Sequence, residues 1–144
     1  SLAAGVAEDV RAGVTYVLGP GSTVGAVKAE LGFEGSPLGV DVWRDGEVVV
    51  ADASEDDILA ALGEENVVVV SPIGGQGFVF GRGNLQLSPA VVRRSSLEVV
   101  ATKRKLDDLD ALRVDTGDPD LDEELRGWLQ VRVGRYERRL MKVV

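Results

Sequence analysis

Four consecutive valines, Val67 to Val70, run directly into Ser71-Pro72-Ile73-Gly74-Gly75-Gln76-Gly77-Phe78-Val79-Phe80-Gly81-Arg82-Gly83-Asn84. The valines predict a short buried strand. The five glycines that follow remove side chains where a backbone must bend sharply or approach a ligand closely. Gln76, Arg82 and Asn84 add groups able to hydrogen-bond a phosphate, a ribose or an amide. Tight turns alone are the plainer explanation of such glycines. The alternation with polar donors and with Phe78 and Phe80 favours a binding loop.

The same order of events occurs earlier. Thr15-Tyr16-Val17-Leu18 reads as a buried strand and Gly19-Pro20-Gly21-Ser22-Thr23 as a turn. Val24, Val27 and Leu31 then recur at helical spacing, with Ser22 or Thr23 placed to cap the helix and Gly32 to end it. The free N–H groups of such a helix start suit an anion. The turn lacks the lysine and the spacing of a Walker A loop, and a merely capped helix explains it equally well.

Further along, 38–43 and 47–50 predict two strands joined at Arg44-Asp45-Gly46, because Asp-Gly favours a hairpin. Ser54 and Asp57 form a variant capping box before the stripe Ile58, Leu59, Leu62. Ser88-Pro89 opens another helix. Strands are expected at 97–101 and 112–115, with a short helix between them. Asp118-Pro119 then starts a helix whose apolar face holds Leu121, Leu125, Trp128 and Leu129. Residues 129–133 and 138–143 close the chain as strands around Gly134.

Strands alternating with helices predict an α/β fold: a mixed, largely parallel sheet flanked by helices, with antiparallel edge strands. Ligands of such sheets sit beyond the carboxyl ends of the strands. Gly19 to Thr23, Asp41, Ser71 to Gly77 and Asp115 to Asp118 all follow predicted strands, so they are expected to converge. Asp41 lies in an apolar stretch. In solvent it is an ordinary strand-end carboxylate, but if buried it needs a partner or a function. Asp115-Thr116-Gly117-Asp118 offers carboxylates for a hydrated Mg²⁺ or for ribose hydroxyls, although Asp118 also fits a helix cap. Lys103-Arg104-Lys105 and the arginines at 132, 135, 138 and 139 read as solvated or salt-bridged residues.

Composition closes off several chemistries. The chain has 144 residues and neither cysteine nor histidine. Thiol and imidazole catalysis and zinc-finger sites are thereby excluded within it. The net charge of −8 argues against nucleic acid and anionic membrane as main partners. No apolar stretch is long enough to span a bilayer. Only four lysines are present: Lys28, Lys103, Lys105 and Lys142. Acid excess with so few lysines suggests a salt-rich cytoplasm, where screening relieves self-repulsion. Stability that falls on transfer from molar salt to dilute buffer would mark this halophilic character. The start, Ser1-Leu2-Ala3-Ala4-Gly5, lacks a methionine and reads as processed or truncated.

Taken in order, the segments 16–23, 38–41, 71–84, 99–103 and 114–118 resemble the C-terminal region of the archaeal-type ATP-NAD kinase-like proteins. These are also described as predicted polyphosphate/ATP-NAD kinases. The likeness runs from about Val14 onward, and 72–84 is its most specific block. It implies phosphorylation of NAD to NADP, with ATP or polyphosphate as donor and Mg²⁺ accompanying the phosphates. It also implies a longer, two-part cytoplasmic protein whose N-terminal kinase domain carries a Gly-Gly-Asp-Gly segment with the catalytic aspartate. This sequence contains no such segment. Residues 1–144 would then be a single C-terminal domain, inactive alone, with homo-oligomerisation left open.

The nucleotide-facing surface implied by the resemblance comprises Gly19, Gly21, Ser22, Thr23, Gly74, Gly75, Gln76, Gly77, Arg82 and Asn84. Asp41 and Asp115 join it on their own chemistry. Bacterial kinases of the superfamily have a β-rich C-terminal sandwich, which is the alternative fold. Two other functions remain. Strand–glycine turn–helix also opens sugar-phosphate isomerase-like or sensor domains, with Asp41 as an acid or base. A non-catalytic assembly domain would instead expose an apolar patch around Trp43, Phe78 or Trp128.

Overall fold

The computed structural model describes every residue, Ser1–Val144. Its centre is a five-stranded mixed sheet in the order β3-β2-β1-β4-β6. These strands are β1 (Thr15–Leu18), β2 (Asp41–Arg44), β3 (Glu47–Val50), β4 (Asn66–Val70) and β6 (Ser96–Val99). β1, β4 and β6 are parallel, whereas β2 and β3 run antiparallel at one side. The α/β expectation therefore holds, and the chain does not form a β-rich sandwich. β2 and β3 meet at Asp45 (φ 50°) and Gly46 (φ 83°), the double positive φ of a type I′ hairpin.

Successive side chains of the central strands leave opposite faces and so enter two different cores. Val17, Val68 and Val70 enter one core with Ile58 and Val91. These come from α3 (Glu55–Ala61) and α4 (Pro89–Arg93). Tyr16, Leu18 and Val69 enter a second core with Val6, Val24 and Val27. These come from α1 (Leu2–Glu8) and α2 (Ser22–Glu30). The result is three layers, with helices on both faces of a sheet whose central strands are buried on both sides. Trp43 lies in the second core, its ring edge-on to Tyr16 with centroids 5.9 Å apart.

Two small sheets complete the chain. β5 (Phe78–Phe80) pairs in parallel with β7 (Arg113–Val114). β8 (Gly127–Arg132) and β9 (Arg138–Val143) form an antiparallel hairpin. Single bridges tie Val100 to Arg132 and Leu112 to Val143, so the hairpin is stitched between β6 and the segment before β7. α5 (Lys103–Asp107) follows β6, and α6 (Pro119–Leu125) precedes β8.

The structure corrects several expectations. Residues 2–8 form a helix that the sequence reading had not assigned. The last helix stops at Leu125, so Trp128 and Leu129 belong to β8, and Trp128 is exposed. The extended cap at Arg126 separates the two elements. The first strand of the early hairpin starts at Asp41, leaving Leu38 in an exposed loop. Phe78–Phe80, read as loop, is a short strand.

Candidate functional site

The chain leaves β1 toward β2 on one side and leaves β4 toward β6 on the other. The loops after β1 and β4 therefore diverge, which opens a crevice at the carboxyl ends of these strands. A cleft of about 660 Å³ occupies that place. Pro20, Gly21, Ser22 and Thr23 line it from the β1 loop, and Ser71, Pro72 and Ile73 from the β4 loop. Gly83, Leu38, Thr102 and Lys105 complete its wall.

The start of α2 is the chemically distinct part of this cleft. Neither Ser22 nor Thr23 caps the helix, contrary to expectation. The N-cap is Gly21, at φ 101°, and no side chain bonds to the first turn. That conformation strongly favours glycine. The other five helices each receive a side-chain cap, from Ser1, Ser54, Ser88, Thr102 and Asp118. The opening N–H groups of α2 have no intrahelical acceptor, and they carry the positive end of the helix dipole. The hydroxyl residues Ser22, Thr23, Ser71 and Thr102 line the same space. Lys105 reaches across to donate from Nζ to the Gly74 carbonyl at 2.9 Å.

The other residues singled out in the sequence divide into separate groups. Gly19 is buried behind the cleft, its N–H donating to Val69 O at 2.9 Å. Gly75 and Gln76 line a second cleft of about 370 Å³ beside Asp108 and Arg113. Gly74 and Gly77 turn a four-residue loop closed by the Ile73–Phe78 bridge. The Arg82 guanidinium lies over the Phe78 ring, 4.3 Å from its centroid. Asn84 is buried and donates from Nδ2 to Val79 O at 2.9 Å, while its Oδ1 has no partner. The turn explanation thus accounts for much of the glycine-rich run. Ser71 to Ile73 and Gly83 reach the main cleft, whereas Gly75 and Gln76 do not.

The acidic residues do not converge on the cleft. Asp41 opens β2 instead of following a strand, and antiparallel pairing sets it opposite Leu18 at the same sheet edge. It is buried, not solvated, and pairs with the equally buried Lys28 at 2.8 Å. Asp115 is exposed and packs its backbone against Gly81. Asp118 caps α6 and pairs with Arg93. Arg93 and the helix amides hold its carboxyl below the usual aspartate range. No three acidic side chains come together as a metal-ligand set.

Thr102 and Lys105 are not among the site residues expected from the sequence, whereas Ser71 opens a loop expected at the strand ends. The signal for Thr102 was present, because it follows a parallel strand just as Gly19 and Ser71 do. Lys105 was hidden in a charge run that also contains Asp107, Asp108 and Asp110.

A mixed α/β domain with an open crevice where the strand order diverges belongs to the architectures that take ligands at strand ends. The profile of the ATP-NAD kinase C-terminal domain family matches residues 11–143. The chain belongs to that family. No curated protein and no solved structure matches it. No helix is long and apolar enough to cross a membrane.

Proposed function

We propose that this chain supplies a nucleotide-binding surface to a cytoplasmic NAD kinase of the archaeal type, which forms NADP from NAD. The phosphoryl donor is ATP or polyphosphate. The catalytic aspartate comes from an N-terminal kinase domain of the same protein. The observation that carries this reading is the uncapped start of α2, opening into the cleft beside Lys105. Phosphoryl transfer depends on positioning and charge stabilisation more than on covalent chemistry by the protein, so the lack of cysteine and histidine is no obstacle. The α2 amides would take phosphate oxygens as the missing cap, and the hydroxyls of Ser22, Thr23 and Thr102 would orient them. Lys105 would add a positive charge while holding the 74–77 turn in place. Mg²⁺ would arrive on the donor phosphates, because the domain offers no carboxylate set of its own.

Titration calorimetry of the chain with NAD, NADP, ATP and ribose 5-phosphate tests the proposal. Selective binding of NAD or NADP is expected. Selective binding of ribose 5-phosphate would favour the sugar-phosphate reading, and no binding at all would favour an assembly role.

A further inference from the structure

A groove of about 770 Å³ runs along α2 and meets the strand-end cleft at Gly21, Ser22 and Leu38. Its outer wall is the loop 32–38, on the way from α2 to β2. Phe33 anchors one end of this wall. It packs against the second core and donates its amide to Lys28 O at 3.1 Å. Buried Gly39 and Val40 anchor the other end. Between these anchors no side chain enters either core, and Glu34, Pro37 and Leu38 are exposed. What fastens 34–38 is one residue on one ion pair. Ser36 donates its amide to Asp41 Oδ2 at 2.8 Å and its hydroxyl to Asp41 Oδ1 at 2.9 Å. Its carbonyl accepts from Lys28 Nζ at 3.1 Å. One further bond reaches the loop, from the Gly21 amide to Pro37 O at 3.1 Å. Gly35 lies against the pair, and a Cβ there would strike Lys28 Cδ and crowd Asp41 Oδ2. Its φ is not positive, so contact alone calls for glycine. Beneath this cover the Lys28 and Asp41 side chains are each 1% exposed.

We infer that residues 34–38 are a strap that opens as a unit, hinged at Phe33 and Gly39 and latched through Ser36 on the Lys28–Asp41 pair. Segments with few buried apolar contacts open locally, at a fraction of the free energy of global unfolding. Closing the strap strips water from both charges. Lifting it gives up the Ser36 bonds but rehydrates Lys28 and Asp41, which offsets part of the loss. The strap is therefore poised between two states while the sheet stays intact. When it opens, the groove loses its outer wall and Leu38 leaves the rim of the strand-end cleft. The latch sets the width of the crevice, whatever ligand the crevice takes.

Lys28 reports on the strap directly, because it is shut beneath it, whereas Lys142 is exposed on β9. The full chain is acetylated with an amine-reactive ester, and the rate at each lysine is mapped by mass spectrometry and divided by its rate in urea. Amide exchange of Ser36, Val17 and Val68 is followed alongside. In the unaltered chain Lys28 is expected to react at least tenfold more slowly than Lys142. The protection of Lys28 and of the Ser36 amide should nonetheless lie at least tenfold below that of Val17 and Val68. Gly35→Ala should prop the strap open and bring Lys28 within threefold of Lys142, while Val17 and Val68 remain the slowest amides. Ser36→Ala removes one bond of the latch and adds no bulk, and it should speed Lys28 at least threefold. If Lys28 and Ser36 are as protected as the sheet, the loop opens only with the whole molecule and the strap is overturned. If Lys28 reacts as fast as Lys142 in the unaltered chain, the loop never closes and the strap is overturned equally. A folded Gly35→Ala variant with Lys28 still shielded has the same meaning. Should Gly35→Ala not fold, Ser36→Ala decides, and an unchanged Lys28 rate there refutes the latch.

Discussion

Both oxygens of the Asp41 carboxylate are occupied. Oδ1 accepts from Ser36 Oγ and from the Asp52 amide, and Oδ2 accepts from the Ser36 amide and from Lys28. Burial pushes this carboxyl up, but Lys28 and the surrounding donors outweigh burial and hold it below the ordinary aspartate range. In the unfolded chain it titrates near its usual value of about 3.9. A depressed folded value contributes stability that is complete above about pH 4 and is lost as pH falls through the lower folded value. Asp41→Asn leaves Lys28 buried without its counter-ion, and is expected to cost about 3–5 kcal/mol. Urea unfolding at neutral pH should show that loss, and the gap to the unaltered protein should narrow by pH 3. An equal gap at both pH values would mean that the pair does not set the acid limb. The sequence marked Asp41 as unusual but gave no means of pairing it. Its partner sits thirteen positions earlier on a helix, and only the fold joins them.

At the scale of elements, the strand–turn–helix units were legible because their signals are local. The valine run, the Asp-Gly turn, the Ser54–Asp57 box and Ser88-Pro89 each stand where they were read. The failures lie where tertiary packing decides. The apolar spacing of 121–129 fits a helix, yet the chain extends at Arg126 and β8 pairs with β9 instead. The glycine-rich run shows the same division. Gly81 has φ 99°, and a Cβ there would collide with the Asp115 carbonyl. This glycine lets β5 lie against the segment after β7. Gly81→Ala combines a left-handed backbone, about 1–2 kcal/mol, with overpacking, about 1–3 kcal/mol. We expect a loss of about 3 kcal/mol in chemical denaturation, concentrated at β5 and β7 in amide exchange. The cleft itself was half legible. Its glycine turn and the Ser71 loop carry local signals, whereas Lys105 and Thr102 needed the sheet order to bring them to the same cleft.

At the scale of the whole molecule, the arginines of the last hairpin are spent internally. Arg135 pairs with Glu8, Arg138 with Glu98 and Arg139 with Asp107. Arg132 is buried, pairs with Asp9 and Glu98, and donates to the Arg135 carbonyl at 2.8 Å. It thus joins α1, β6 and β8 at one guanidinium. Arg132→Met is expected to cost about 3 kcal/mol, the low end for a broken buried pair, because Asp9 is largely exposed and Glu98 keeps Arg138. The melting temperature should fall, and the amides of α1 should lose exchange protection before those of β4. Equal protection loss across the molecule would mean that the arginine does not hold α1 in particular.

The same clasp bears on the order in which the protein can be completed. Gly5 lies so close to the Arg135 backbone that a Cβ there would strike its carbonyl, and the ion pairs of α1 span 123 and 127 positions of sequence. A ribosome delivers Leu2–Glu8 well before the hairpin that holds them. The sheet from β1 to β6 can assemble while the chain is still growing. The opening helix can meet α2 but cannot lock until the final hairpin has emerged. Nascent chains stalled before residue 132 should therefore carry a protease-sensitive α1 beside an already folded sheet.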